Sequence, residues 1–249
     1  GVLNDGTIEG AAVELKAHGN MFALAINNKG SVRATGATNS GGRVFLRGMG
    51  GTVENSGSIE ATGPSAAESA SVLIQSAYAR VGGSVRATND DGSGGDIRIS
   101  GNQSAEVTGG IVAVGNTAGG GDIVIEGASV ELGSQAMVDA SGATGGGRVR
   151  IGGGFQGQDV QVRNSELTLV SEGSVVRVDS TGEGNGGLAV IWSDKSTMFA
   201  GEVTARAQGA IGNGGFVEVS GKNSLGYSGS VNLNGGTVGG GAGTLLLDP

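Results

Sequence analysis

A repeat of about 26 residues constrains this chain more than any other feature of its sequence. Its motif is an apolar residue, any residue, a small residue, any residue and then usually Gly, as in Val32–Gly36 and Ile59–Gly63. The small residue falls at positions 34, 61, 87, 113, 140, 180 and 207, so the interval is 26 or 27 except for one step of 40. Self-similarity at such a period indicates a repeat architecture in which each unit packs on its neighbours.

A second motif, Gly-Gly followed by alternating apolar residues, keeps step with the first. It occurs at Gly41–Leu46, Gly94–Ile99, Gly120–Ile125, Gly146–Ile151 and Gly214–Val219. Alternation with period two predicts strands with one buried face, and triplets such as Asn28-Lys29-Gly30 predict the turns between them. The pattern predicts an all-β fold, a parallel β-helix (β-solenoid) of about nine to ten coils of roughly 26 residues, stacked about 4.8 Å apart.

The composition argues against several other fold classes. Gly makes up 54 of the 249 residues and aromatic residues only 3%, which favours a core of small side chains. Two Pro exclude collagen, and recurring Val, Ile and Leu argue against a disordered linker. A β-propeller needs repeats of about 40–45 residues with aromatic signatures, whereas Trp192 is the only Trp. A β-sandwich would not keep so regular a period, so we expect one solenoid domain over residues 1–249.

The charge pattern bears on partners and on the surface of the rod. A net charge of −8 disfavours nucleic acid and anionic lipid, and no apolar run approaches the length of a membrane span. The outward position of the first motif alternates in sign through Glu9, Arg33, Glu60 and Arg86. In a solenoid these side chains would stack as a ladder of ion pairs.

The Asn-x-Gly-x-Ile/Val-x-Ala-x-Gly repeats resemble those of filamentous-haemagglutinin-like exoproteins of two-partner secretion. The stretches Gly214–Gly221 and Gly243–Pro249 are also similar to that family. The resemblance implies a right-handed parallel β-helix, secretion across an outer membrane, and a role as an adhesin or surface fibre. The Asn-Pro motifs of the family's secretion domain are missing, since the only prolines are Pro64 and Pro249. We therefore expect a piece of a longer protein, downstream of that domain.

Few residues suggest chemistry. His18 is the only histidine, in a polar stretch that predicts an exposed turn, and there is no Cys. Asp90, Asp91, Asp96 and Asp122 are the best carboxylate cluster for a polysaccharide-degrading β-helix enzyme, with Asp96 and Asp122 at the same place in consecutive coils. The Gly-rich stretch before Asp122 is similar to calcium-binding β-roll repeats, but those are tandem nonapeptides. We predict no catalytic residue, no cofactor and no metal site.

The break in the period and the two ends carry the recognition hypotheses. The interruption, Phe155 to Val170, predicts an insertion on one face, with candidate contact residues Phe155, Gln156, Gln158, Asp159, Gln161 and Arg163. Trp192, Phe199 and Tyr227 are alternatives for a carbohydrate-contacting patch, although the sequence favours capping or core roles for them. The ends lack the polar caps of a solenoid, so Val2, Leu3, Leu245, Leu246 and Leu247 are candidates for end-to-end assembly.

Taken together, the sequence predicts a non-catalytic, extracellular or cell-surface rod that is structural or adhesive. Its expected partners are flanking coils of a parent chain, copies of itself, or cell-surface glycans. The alternatives are a subunit that stacks head to tail into an extracellular filament and, more remotely, the polysaccharide-degrading enzyme.

Overall fold

The computed structural model describes residues 1–20, 23–37 and 39–249, and it consists of short strands with one 3-10 turn at Phe155–Gly157. Among the described residues, no helix has the length and apolar character needed to cross a membrane. The strands, numbered in chain order, are β1 (Val2–Asn4), β2 (Thr7–Gly10), β3 (Ala12–His18), β4 (Leu24–Asn28), β5 (Ser31–Ala34), β6 (Arg43–Asn55), β7 (Ser58–Gly63), β8 (Ser71–Val81), β9 (Ser84–Asn89), β10 (Asp96–Val107), β11 (Gly110–Val112), β12 (Asp122–Leu132), β13 (Met137–Asp139), β14 (Arg148–Ile151), β15 (Leu167–Val170), β16 (Val175–Arg177), β17 (Leu188–Ile191), β18 (Ser196–Phe199), β19 (Glu202–Thr204), β20 (Phe216–Ser220), β21 (Ser224–Tyr227), β22 (Ser230–Asn232) and β23 (Thr244–Asp248).

These strands wind into the predicted parallel β-solenoid. One lateral face, called here the second face, is a nine-stranded parallel sheet in the order β2-β5-β7-β9-β11-β13-β16-β19-β22. The other sheet has 14 strands and covers two faces, because β6, β8, β10 and β12 each bend midway and contribute to both. The first face holds β1, β4, the second halves of those four strands, β15, β18 and β21. The third face holds β3, their first halves, β14, β17, β20 and β23, so the chain makes nine coils of three strands.

Inward side chains of consecutive coils stack into apolar ladders. On the second face the ladder consists of Val32, Ile59, Val85, Ile111, Val138, Val176 and Val203, all paired in register and buried. A ladder of small residues, beginning with Ala34, Ala61 and Ala87, runs beside it. Each buried Val or Ile contributes about 1.5–3 kcal/mol, so the core gains its stability from many medium-sized side chains rather than a few large ones.

The Gly-Gly motif forms the corner between the second and third faces. A column of glycines stacks there, and it consists of Gly95, Gly121, Gly147, Gly187, Gly215 and Gly243. A Cβ on Gly121 would lie 2.0 Å from the carbonyl oxygen of Gly95, and one on Gly215 would lie 2.1 Å from that of Gly187. Because the backbones of adjacent coils approach this closely, Gly is required at these six positions, whereas Ala70 occupies the equivalent position in the third coil.

The predicted ladder of alternating charges is present on the outer surface of the second face. Glu9, Arg33, Glu60 and Arg86 are paired in register, with ion-pair distances of 3.7 Å from Arg33 to Glu9 and 3.7 Å from Arg33 to Glu60. All of these pairs are well exposed, so each adds at most about 1 kcal/mol.

The structure corrects two details of the predicted repeat. Val138 pairs with Val176 and Val176 pairs with Val203, so the copies predicted to begin at Val178 and Ala205 are shifted by two residues. A shift of two preserves the inward and outward alternation, which is why the sequence pattern alone does not reveal it. The predicted interruption also extends too far, because Leu167–Val170 are the regular strand β15 and only residues 152–166 leave the coil.

Candidate recognition surface

Residues 152–166, which connect β14 to β15, form the one long loop that leaves the coil path among the described residues. We call them the lateral loop. Its two ends are held together, because the Ser165 amide donates to the Gly152 carbonyl oxygen at 2.7 Å. The hydroxyls of Ser165 and Thr168 both donate to the carbonyl oxygen of Trp192, at 3.0 and 2.7 Å. A loop of this length with closed ends and packed side chains is an Ω-loop, a type that is often functional.

The lateral loop folds back on the outer surface of the third face, where a buried guanidinium anchors it. Arg150 is 6% exposed and donates to Asp122 Oδ2 at 2.6 Å and to Asp159 Oδ2 at 2.7 Å. Burial acts to lower the pKa of Arg150, but the two carboxylates outweigh it and raise the pKa. The Gln161 amide and then Arg150 lower the pKa of Asp159. Because Asp122 belongs to β12 and Asp159 to the loop, Arg150 ties the loop to the coils.

A second anchor lies toward the N-terminal coils. Glu126, a buried residue of β12, accepts from Arg98 at 2.8 Å and from the backbone amide of Arg163 at 2.9 Å. Arg98 also donates to the carbonyl oxygen of Gln161 at 3.1 Å, and Arg163 donates to that of Asn102 at 2.8 Å. Since Arg98 lies in β10, the loop extends over several coils along the axis of the solenoid.

The third anchor lies toward the C-terminal coils. Glu218 of β20 is fully buried, and its Oε2 accepts from the Gln156 amide at 3.0 Å. Phe155 packs edge-on against Phe216, with ring centroids 5.6 Å apart. Burial raises the pKa of Glu218, although the hydrogen bond from Gln156 acts in the opposite direction.

The lateral loop covers apolar outward side chains that a bare sheet would expose. Val124, Val190 and Trp192 lie beneath it, at most 7% exposed, and Val162 of the loop packs inward. The Trp192 indole nitrogen donates to Asp194 at 3.1 Å, and Asn164 of the loop donates to the same carboxylate. The sequence pattern assigns these outward positions to solvent, so their burial is a consequence of the loop.

The candidate contact residues of the loop are displayed at its surface. Phe155, Gln156, Gln158, Gln161 and Arg163 are exposed, and Asp159 is partly exposed beside Arg150. These six residues all belong to the lateral loop and lie along the outer surface of the third face, from Arg163 near β10 to Phe155 near β20. Whether they bind a partner stays a prediction.

The three aromatic residues do not form an exposed patch. Trp192 is buried under the lateral loop, and Phe199 is a core residue of the first face. Tyr227 pairs in register with Phe199 in the last coil, with ring centroids 5.2 Å apart. The patch alternative is therefore wrong: only Tyr227 is exposed, and it belongs to the inward ladder.

The four carboxylates predicted as a cluster have different structural roles. Asp96 and Asp122 are neighbours in register, as predicted, but Asp122 is engaged by Arg150. The Asp91 carboxylate stabilises the turn in which it lies by accepting hydrogen bonds from Ser93 and from the Ala66 amide, and these bonds lower its pKa. The side chain of Asp90 is exposed to solvent. No group of three or more His, Cys, Asp or Glu is placed to hold a metal within residues 1–20, 23–37 and 39–249.

His18 and the end residues lie as follows. His18 is exposed, but it ends strand β3 rather than lying in a turn. Inward positions in the first and last coils are taken by Val2, Leu245 and Leu247. The other two residues point outward, because Leu3 pairs with the outward Asn27 and Leu246 with the outward Glu218. Only three of the five predicted assembly residues therefore lie on the core ladders.

Sequence reasoning missed a buried anion on the second face. Asp179 is 1% exposed and accepts from Thr204 at 3.0 Å, from Gln208 at 3.0 Å, and from the Arg206 side chain and amide, both at 2.7 Å. Asp179 raises the pKa of Arg206. The omission has a simple cause: alternation assigns Asp179 to an outward, solvent-facing position of the repeat motif, so its burial is not evident from the sequence.

Comparison with known proteins identifies the fold and no more. No protein-family model matches the chain, and no curated protein matches its sequence. Among solved structures, the chain is similar to the crystal structure of the HMW1 secretion domain from Haemophilus influenzae, with a TM-score of 0.69 and 24% sequence identity. The match covers 99% of this chain and 66% of that one. The chain therefore shares the β-solenoid fold of that structure and spans slightly less than two thirds of its length.

Proposed function

We propose that the chain is a non-catalytic, rod-like module of a secreted exoprotein of the two-partner secretion type. The observation that carries the proposal is the nine-coil solenoid shared with the HMW1 secretion domain. Parallel strand pairing runs through all nine coils, so hydrogen bonds and apolar ladders are continuous along the axis. Such a rod is stiff and offers few flexible segments to proteases, which suits a protein that acts outside the cell or on its surface.

The adhesive surface in this proposal is the lateral loop, and its partner is a cell-surface glycan or protein. In this loop, unlike the other described connections, the regular coil gives way to an exposed set of amide side chains, Gln156, Gln158 and Gln161, beside an exposed Phe155. Surface loops held by a rigid scaffold are favoured positions for recognition residues.

The test is binding of the purified chain to epithelial cells, with the triple variant Phe155→Ala, Gln158→Ala, Gln161→Ala. We expect binding to fall about tenfold or more, because exposed interface residues are lost while the hydrogen bonds of the loop to Arg150, Glu126 and Glu218 remain. The control is Arg80→Ala with Glu106→Ala, an exposed pair on the first face. Equal binding by all three proteins would move the recognition site away from the loop.

A second candidate function is recognition by an outer-membrane transporter. The likeness to a secretion domain over 99% of the chain favours it, although the sequence motifs predict a region downstream of that domain. Co-production with a two-partner transporter would test it. Release of the chain into the medium only when the transporter is present would support this role, and retention in the periplasm would support the downstream position.

End-to-end stacking is the third arrangement, with copies of the chain or flanking coils of a parent chain as partners. It is supported by Val2, Leu245 and Leu247, which continue the inward ladders at the two end coils. Electron microscopy across a concentration series distinguishes long uniform fibres, expected for a filament subunit, from isolated short rods.

A further inference from the structure

Buried polar atoms without hydrogen-bond partners concentrate where the lateral loop meets the third face. Seven such side-chain atoms occur among the described residues, and five of them lie at this contact: Asp122 Oδ1, Arg150 Nε, Asn164 Oδ1, Glu218 Oε1 and Ser220 Oγ. Each unpaired group carries a desolvation cost that a paired group does not. The closed position of the loop therefore carries a desolvation cost that the surrounding coils largely avoid.

Among these groups, Glu218 has the highest desolvation cost when it is ionised, because no positive charge lies beside it. Its neighbours in register are Val190 and Leu246, and Phe155 and Phe216 pack together nearby. It forms no ion pair with any described residue, and the charge that acts on it is the like charge of Asp248 on β23. Ionised Glu218 is thus a buried, uncompensated anion.

The loop segment that covers Glu218 is itself strained. Gln156, whose amide is the hydrogen-bond donor to Glu218, has φ 52° and ψ 24°, the left-handed region that non-glycine residues seldom adopt. Gly157 has φ 65° and lies against the Trp192 ring, which a Cβ there would approach to 2.6 Å. The Phe155–Gly157 turn therefore closes over both Glu218 and Trp192.

From this geometry we propose that the Phe155–Gly157 turn is a proton-controlled latch, closed over Trp192 when Glu218 is protonated and released when Glu218 is ionised. Protonation removes the buried charge and gives Oε1 a proton to donate. The Ser220 hydroxyl, like the Gln156 amide, acts on the Glu218 carboxyl in the direction that lowers its pKa, and burial outweighs both. Release returns the carboxylate to water and uncovers the apolar strip of Val190 and Trp192.

The direction of the pH effect follows from linkage. Burial raises the pKa of Glu218 in the closed state, so closing takes up one proton. The closed state is favoured below the raised pKa and loses that advantage as the pH rises through it. Asp159 acts in the opposite sense, because its lowered pKa makes the Arg150 anchor fail only in stronger acid. The latch is therefore tightest in mildly acidic solution.

Trp192 reports on the latch directly, since it is the only Trp and lies beneath the turn. We expect its fluorescence emission to shift to the red between mildly acidic and mildly alkaline pH in the unmodified chain. Glu218→Gln mimics the protonated state and should keep the emission blue-shifted throughout. Glu54→Gln, on the first face, should show the same emission shift as the unmodified chain. Asp194→Asn alters the acceptor of the indole N–H and should also keep the shift; loss of the shift in this variant would assign it to Asp194 instead of Glu218.

Hydrogen exchange of the unmodified chain provides a readout that needs no variant. After correction for intrinsic rates, protection of the Gln156 amide should fall about tenfold per pH unit across the transition, the slope of one proton. Flat Trp192 emission with constant protection would overturn the proposal, as would a transition that persists in folded Glu218→Gln. The measurements use the protein alone, so their outcome is independent of adhesion or secretion.

Discussion

At the scale of single residues, the first three coils contain a polar ladder inside the core. Asn4, Asn28 and Asn55 occupy inward positions of the first face; Asn4 donates to Asn28 at 2.7 Å and Asn28 to Asn55 at 2.6 Å. From the fourth coil onward the same position is apolar, beginning with Val81 and Val107. Each amide satisfies the next, so the ladder tolerates burial only as a complete set.

Asn28→Ala should therefore destabilise the chain by about 2–3 kcal/mol, because it leaves the side-chain oxygen of Asn55 buried without its donor. The control is the adjacent Asn27→Ala, whose side-chain oxygen already lacks a partner and whose loss should cost less than about 0.5 kcal/mol. Urea unfolding midpoints of the two variants give the comparison. Similar midpoints would show that the ladder contributes nothing specific.

Inward residues were predictable from the sequence, whereas buried outward residues were not. Alternation with period two assigns Val85 and Ile111 to the core because it depends on neighbours within one strand. Glu218 and Val190 are outward by the same rule, and only the lateral loop, which packs across several coils, buries them. Asn28 was predicted as a turn residue, and its place in the ladder depends on the equivalent residues of adjacent coils.

At the scale of elements, the glycine corner is the feature least tolerant of change. Gly121→Ala should cost about 3 kcal/mol or more, because the new Cβ would lie 2.0 Å from a backbone oxygen that the sheet holds in place. Gly110→Ala is the matched control, since no atom lies within 4 Å of its Cβ position. Thermal unfolding of both variants is the measurement, and equal melting temperatures would contradict the close stacking.

The anchors of the lateral loop make a separate prediction. The Gln161 amide and then Arg150 lower the pKa of Asp159, so these two bonds stabilise the closed loop above the ordinary Asp range and are lost as the pH falls through the lowered value. Asp159→Asn should therefore speed tryptic cleavage after Arg163 several-fold at neutral pH. Asp90→Asn, an exposed residue elsewhere, should leave the cleavage rate unchanged. An unchanged rate in Asp159→Asn would show that the other anchors suffice.

At the scale of the whole molecule, stability should depend on position along the axis. Each coil contacts only its neighbours, so a central coil is supported on two sides and a terminal coil on one. Val138→Ala in the sixth coil removes a fully buried side chain and should cost about 2 kcal/mol. Val231→Ala in the ninth coil, where the side chain is partly exposed, should cost less than half of that. Equal losses would indicate that the rod unfolds as one cooperative block whatever the site.

The nine coils resemble one another so closely that a chain folded one coil out of frame would keep much of its apolar core. The lateral loop, the asparagine ladder of the first three coils and the Phe199–Tyr227 pair of the last two each occur once along the axis. A frame-shifted chain would bury amides against valines and force about twelve extra residues into a closed bend. These irregularities destabilise structures in which a coil pairs with the wrong neighbour. A perfectly regular repeat would lack this protection against wrong pairing.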